Sequence, residues 1–276
     1  MSSRAPNGLD VHQVEFIKLL RSLSHRHAAH RVFSDFCECA AIAISNAVDL
    51  AQRETREARY LDIIGAYKPD EVHSLAKMLA LVTESLERGF HDCLGELFMA
   101  LELSNHWVGQ FFTPYPVASM MAQMNCANAP DLIAEHGFVR ACEPACGAGA
   151  MVIALAETFK NQHINYQQKL HVVATDIDAT AAHMTYIQLS LYHVPAVVHI
   201  GNTLANTVRE TFYTPAHVMG AWSRKLQQRA DAQMNIDAPL AQTTELHAPL
   251  AAPAPNALRV TRPVDNTSSQ PQLTLF

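Results

Sequence analysis

The chain has 276 residues, 49% of them hydrophobic and 17% charged, with a net charge of -6. That is apolar material for one large domain or two small ones, and it excludes nucleic-acid binding driven by bulk charge, so a DNA contact needs a local basic face. No apolar run approaches the roughly 18 residues of a membrane span. Residues 1–10 lack the apolar core of a secretory signal. The six cysteines are scattered through apolar segments, as expected of reduced thiols in a cytoplasmic protein rather than of a disulfide framework or a paired zinc site.

Residues 11–104 read as helices only. Val11, Val14, Phe16, Ile17, Leu19, Leu20 and Leu23 recur at helical spacing. A longer pattern runs from Ala29 to about Arg53. Pro69 and Asp70 open a helix that Gly89 ends, and His91 to Leu103 predicts a short apolar one. From Asn105 to Pro116 the character changes: two aromatics and two prolines predict an extended or turned segment. Val117 to Met124 returns to helix. From Phe138 the pattern alternates, with strands at 138–142, 170–175 and 196–200 and helices at 148–160 and 178–193. Such alternation implies a parallel sheet. A last helix falls near Ala216–Ala232. Residues 238–271, rich in Pro, Ala and Thr, read as a disordered linker, after which Gln272-Leu273-Thr274-Leu275-Phe276 is apolar again. The expected domains are 1–104, 105–236 and a tail, 237–276.

The run from Arg140 to Ala150 carries the chemistry. A buried strand ends at Glu143-Pro144 and turns through Ala145, Cys146, Gly147, Ala148 and Gly149 into a helix. Backbone N–H groups converge at such a turn, and glycine lets a ligand approach the main chain. The second strand ends at Asp176-Ile177-Asp178. A carboxylate there is placed to accept hydrogen bonds from ribose hydroxyls. Asp178 reads instead as the N-cap of the next helix.

Gly109-Gln110-Phe111-Phe112-Thr113-Pro114, Glu143-Pro144-Ala145-Cys146-Gly147-Ala148-Gly149 and Asp176-Ile177-Asp178, in that order, resemble the adenine-N6 DNA methyltransferases, especially the modification subunits of type I restriction systems. The resemblance covers Gly109 to Leu204 well and the helical block more loosely. It implies an α/β, Rossmann-like S-adenosylmethionine-dependent methyltransferase fold behind an all-helical domain, in a chain that stops short of a seven-stranded sheet. It assigns Phe112, Thr113 and Pro114 to the segment over the methionine end of S-adenosylmethionine. Glu143, Pro144, Ala145, Cys146, Gly147 and Gly149 become the cofactor loop. Asp176 falls on the ribose, Ile177 on the adenine face and Asn202 at the adenine edge. DNA is the implied partner.

The chain departs from that family at the catalytic motif, an Asn or Asp, two prolines and an aromatic that hold a flipped adenine. No Pro-Pro pair occurs. The nearest echo is Phe212-Tyr213-Thr214-Pro215, with Asn206 close in sequence. Two readings stay open. Asn206, Tyr213 and Pro215 form a degenerate catalytic surface, or the chain is a non-catalytic adaptor, with a completing subunit as a further variant. The tail, through Gln272, Leu273, Leu275 and Phe276, resembles the short peptide by which bacterial proteins dock on the DNA sliding clamp. Lys18, Arg21, Arg26 and Arg31 read as a solvated helix face in preference to a DNA contact. His25, His27 and His30 do not share a helical face, so no metal is expected. Trp222, Arg224, Lys225 and Arg229 stay open between packing and phosphate contact.

Overall fold

The computed structural model describes residues 8–103, 112–237 and 273–274. Five helices come first: α1 (Val11–Leu23), α2 (Ala29–Ser45), α3 (Arg53–Ile64), α4 (Pro69–Leu86) and α5 (Cys93–Ala100). Asp10 starts α1 by accepting the His12 and Gln13 amides, while Gln13 returns its side-chain oxygen to the Asp10 N–H, a reciprocal cap that satisfies otherwise orphaned donors. The buried face of α1 sets Phe16 edge-on to Phe36, 5.1 Å away. The pattern expected to run unbroken to Arg53 divides instead: α2 stops at Ser45 and α3 begins at Arg53. Asn46 and Asp49 cause the break. Their side chains bind Glu57 and Arg56 of α3 across the turn, an alternative to continuing the helix.

The second half begins with α6 (Tyr115–Asn125) and α7 (Ala129–His136). It continues through β1 (Val139–Glu143), α8 (Ala150–Asn161), α9 (Tyr166–Lys169), β2 (Leu170–Asp176), α10 (Ala179–Leu191), β3 (Ala196–Asn202), β4 (Thr207–Tyr213), α11 (Pro215–Met219) and α12 (Trp222–Asp237). A two-residue strand, β5 (Leu273–Thr274), closes the series. The sheet order is β4-β3-β2-β1-β5. β1, β2 and β3 are parallel, as the alternation predicts, and β5 lies parallel to β1. β4 returns antiparallel to β3, with a bulge at Ile200/Gly201.

β4 escaped sequence reading because it is an edge strand. Its burial is slight except at Phe212, so no alternation marks it. Thr214 then caps α11. The stretch read as an echo of a catalytic motif is therefore the end of an edge strand and the start of a helix.

The two halves share one apolar core running from Phe16 to Phe212. α10 lies within it, packed on α2 as well as on β2 and β3. This is why α10 is buried nearly all round, as a helix between two layers must be. Arg56 ties the halves further, donating to Ser45 and Asp49 in the helical half and to the Thr211 carbonyl of β4, with its guanidinium 4.2 Å from the Phe212 ring centre. Among the described residues no helix is long and apolar enough to cross a membrane.

Candidate cofactor-binding site

The turn between β1 and α8 sits at the carboxyl end of the parallel strands, where open α/β sheets bind ligands. Gly147 and Gly149 both have positive φ, +54° and +98°, which a side chain rarely adopts. Space also demands glycine at both positions. A Cβ on Gly147 would come within 2.9 Å of the Phe112 ring, and one on Gly149 within 3.1 Å of Thr185 Oγ1. Phe112 is thus pressed onto the turn, backed by Phe98 of α5 at 5.0 Å. Pro114 is the N-cap residue of α6, with Thr113 just before it. Gly109, Gln110 and Phe111 lie outside the described residues.

Gly149 is the N-cap of α8, and no side chain caps that helix. Its N-terminal amides therefore remain available to a ligand carboxylate. Glu143 is wholly buried at the end of β1. Its Oε1 accepts the Ala145 amide, while Oε2 has no partner among the described residues. Burial, reinforced by the nearby charge of Asp176 and only partly offset by that amide, pushes its carboxyl up to about 7. Burial also raises Asp176, against the hydrogen bonds of its backbone partners.

Asp176 ends β2, as expected. Its Oδ2 accepts the Gly147 amide at 2.8 Å and its Oδ1 the Asp178 amide at 2.9 Å. It braces the turn, and lone pairs remain on each oxygen for a ligand. Ile177 is 63% exposed, open to an aromatic partner. Asp178 caps α10 through the Thr180 amide, as its position suggests. Asn202 ends β3, its Oδ1 taken by the Ala205 amide. Cys146 is buried, and burial raises its thiol far from the reactive range.

The catalytic candidates do not meet. Asn206 lies in the β3–β4 turn, next to Thr207, whereas Tyr213 pairs with Val197 at the far end of the hairpin. Six residue steps along the strand separate Thr207 from Tyr213, about 20 Å. Pro215 lies beyond, at the first position of α11. Asn206 and Tyr213 thus stand at opposite ends of the hairpin, with Pro215 past the Tyr213 end.

Several residues that hold the site were missed from the sequence. Thr185 donates to the Gly147 carbonyl, and Gln188 Nε2 donates both to the Ala148 carbonyl and to buried Asp92, each at 2.8 Å. Thr203 donates to the Pro144 carbonyl. The available signal was a pair of polar residues, Thr185 and Gln188, three apart on one face of a helix that is buried nearly all round. The basic cluster is largely partnered: Lys18 meets Glu15, Arg26 meets Glu71 and Arg31 meets Asp35. Trp222 is a packing residue, fully buried between Phe138 and His171. Arg229 donates to the Phe138 carbonyl. Among the described residues no group of three potential ligands could hold a metal.

A mostly parallel α/β sheet with a double-glycine turn between β1 and α8, flanked by two carboxylates, places the chain in the methyltransferase-like class of α/β folds. The sequence model described as N-6 DNA Methylase matches residues 96–235, which spans half of the chain. The chain belongs to the N-6 DNA methylase family. It is also similar to a class I S-adenosylmethionine-dependent methyltransferase of Listeria monocytogenes, at 13% identity and a TM-score of 0.36, over 72% of this chain and 56% of that one. A second likeness is to the methyltransferase subunit of a type I restriction-modification system of Streptococcus thermophilus, at 17% identity and a TM-score of 0.36, over 68% and 43%. The chain thus spans about half the length of these structures. A comparison with curated proteins finds no match.

Proposed function

We propose that the chain binds S-adenosylmethionine at the β1–α8 turn and serves adenine-N6 methylation of DNA. Charge around the turn carries the choice of ligand. Glu143 and Asp176 flank the turn, and the charge of Asp176 helps raise the Glu143 carboxyl, so a pyrophosphate would meet two carboxylates. S-adenosylmethionine brings an ammonium and a sulfonium instead. The unpartnered Glu143 Oε2 suits the cation, the uncapped N-terminus of α8 suits the carboxylate of the amino-acid end, and Asp176 suits the ribose. Phe112, Thr113, Pro114, Pro144, Ala145, Cys146, Gly149, Ile177 and Asn202 complete the assigned surface. When bound, the cofactor supplies the methyl group. The chain's own residues orient it and exclude water.

Asp176→Ala is expected to weaken S-adenosylmethionine binding by about 1–3 kcal/mol, because both ligand bonds and the brace on Gly147 are lost. Isothermal titration of parent and variant measures this. Equal affinities would remove Asp176 from the site.

Methyl transfer by the isolated chain is expected to be slow or absent. Asn206 stands about 20 Å from the Tyr213 end of its hairpin, so no amide and aromatic converge on a flipped base. A completing subunit would supply them. Tritium transfer from labelled cofactor to mixed-sequence DNA is the measurement. Robust turnover by pure chain, lost on Asp176→Ala, would refute the need for a second protein. A sliding-clamp partner is proposed on the tail sequence alone. Gln272, Leu275 and Phe276 lie outside the described residues. A cytoplasmic setting is proposed on the cysteines, which are scattered through apolar segments of the sequence.

A further inference from the structure

β1 pairs with β2 along one edge over its whole length. Its other edge leads directly into the Glu143–Gly149 turn and receives the C-terminal segment: Leu273 lies opposite Ala141 and Thr274 opposite Cys142, in parallel register. An open strand edge presents a row of N–H and C=O groups and acts as a template for another strand. The occupant's sequence suits that role, since Leu273-Thr274-Leu275-Phe276 combines β-branched and aromatic residues with no charge.

The geometry of the chain allows the segment to arrive in cis. Arg229 of α12 donates to the carbonyl of Phe138, the residue before β1, so α12 is anchored at the start of that strand. α12 continues eight residues past Arg229 to Asp237, about 12 Å. Residues 238–272 then separate it from β5. Thirty-five residues can reach up to roughly 115 Å, more than the return requires.

We propose that the outer edge of β1 is a strand-acceptor site and that its occupant is this chain's own C-terminal segment, docked reversibly in cis as a parallel strand. Pairing over two residues makes few hydrogen bonds, so the segment exchanges between docked and released states. A segment laid on β1 is not free for a partner's pocket. A partner that takes the tail, or one that brings a longer strand to β1, competes with docking. The inference stands on backbone pairing and does not depend on the identity of the ligand at the turn.

The test is hydrogen exchange at peptides covering 139–146, in the full chain and in a chain ending at residue 270. Removal of the segment is expected to speed exchange at Ala141–Glu143 at least fivefold while peptides from β2 and β3 are unchanged. A synthetic 268–276 peptide, added at millimolar concentration, restores the protection. Leu273→Pro/Thr274→Pro in the full chain keeps the length but removes both amide donors and reproduces the truncation. If the shortened chain proves unfolded, with β2 and β3 also exposed, this variant and the added peptide decide. Identical exchange in the parent and the proline variant overturns the site. Protection that grows with protein concentration assigns the edge to a second copy and overturns docking in cis.

Discussion

Glu143→Gln is expected to stabilise the protein at alkaline pH and to abolish the pH dependence of ligand binding. The carboxyl of Glu143 titrates near 7 in the fold, against an ordinary value of 4.5. The folded protein therefore holds this proton more tightly than the unfolded chain does. The resulting stability is fully present below about pH 4.5 and is lost as pH rises through 7. A difference of about 2.5 pH units corresponds to about 3 kcal/mol. Glutamine keeps one hydrogen-bond acceptor for the Ala145 amide and cannot ionise. The variant should match the parent at pH 4 and exceed it by about 3 kcal/mol at pH 8. Binding moves the other way. If the ionised carboxylate receives the ammonium of S-adenosylmethionine, the parent's affinity rises with pH up to about 7, and the variant's stays low and flat. Denaturant melts across about pH 4–8.5 and calorimetric titrations across about pH 5.5–8.5 measure the two effects. A parent whose affinity is constant over that range would remove Glu143 from contact with the cation.

Arg56→Ala is expected to cost about 3–5 kcal/mol of unfolding free energy, because it strands buried partners of a removed charge. Arg56 is 5% exposed. Its guanidinium serves Ser45, Asp49 and the Thr211 carbonyl and covers the Phe212 ring. In a chain of this size the loss lowers the melting temperature by on the order of 10 °C. Arg56→Lys recovers little, since an ammonium cannot span these partners with a planar fork. A shift under about 2 °C by calorimetry would show that the two halves are held by apolar packing alone.

The parts of the fold that sequence reading recovered are those with strong local causes. α1, α4, α8, α10 and the three parallel strands announce themselves through periodicity, and the β1–α8 turn through its glycines. What it missed depends on long-range contact. The α2–α3 break follows from Asn46 and Asp49 finding partners in α3. β4 is held by β3 and Arg56, not by an apolar face of its own. The same division runs through the site. Asp176 was readable because the carboxyl end of a second strand is a fixed position. Thr185, Gln188 and Thr203 reach the turn, and Asp92 reaches Gln188, only through folding. The proximity of Tyr213 to Asn206 in sequence misled for the same reason, since a hairpin strand carries its two ends apart.

The contact between Arg56 and the Thr211 carbonyl also bears on assembly. β4 is the outermost strand on its side, and such an edge can recruit another copy and propagate. Here a buried guanidinium occupies one of its carbonyls, the bulge at Ile200/Gly201 breaks its register, and Arg209 and Glu210 charge its exposed run. Each discourages strand addition. Growth of the sheet from this side is blocked, so a copy joined through β1 cannot pass the interaction on through β4. Any assembly built by strand pairing would end at a single junction rather than lengthen into a fibre. Loss of Arg56 would therefore show in light scattering as well as in melting temperature, because it uncovers the side of the molecule that is otherwise closed to polymerisation.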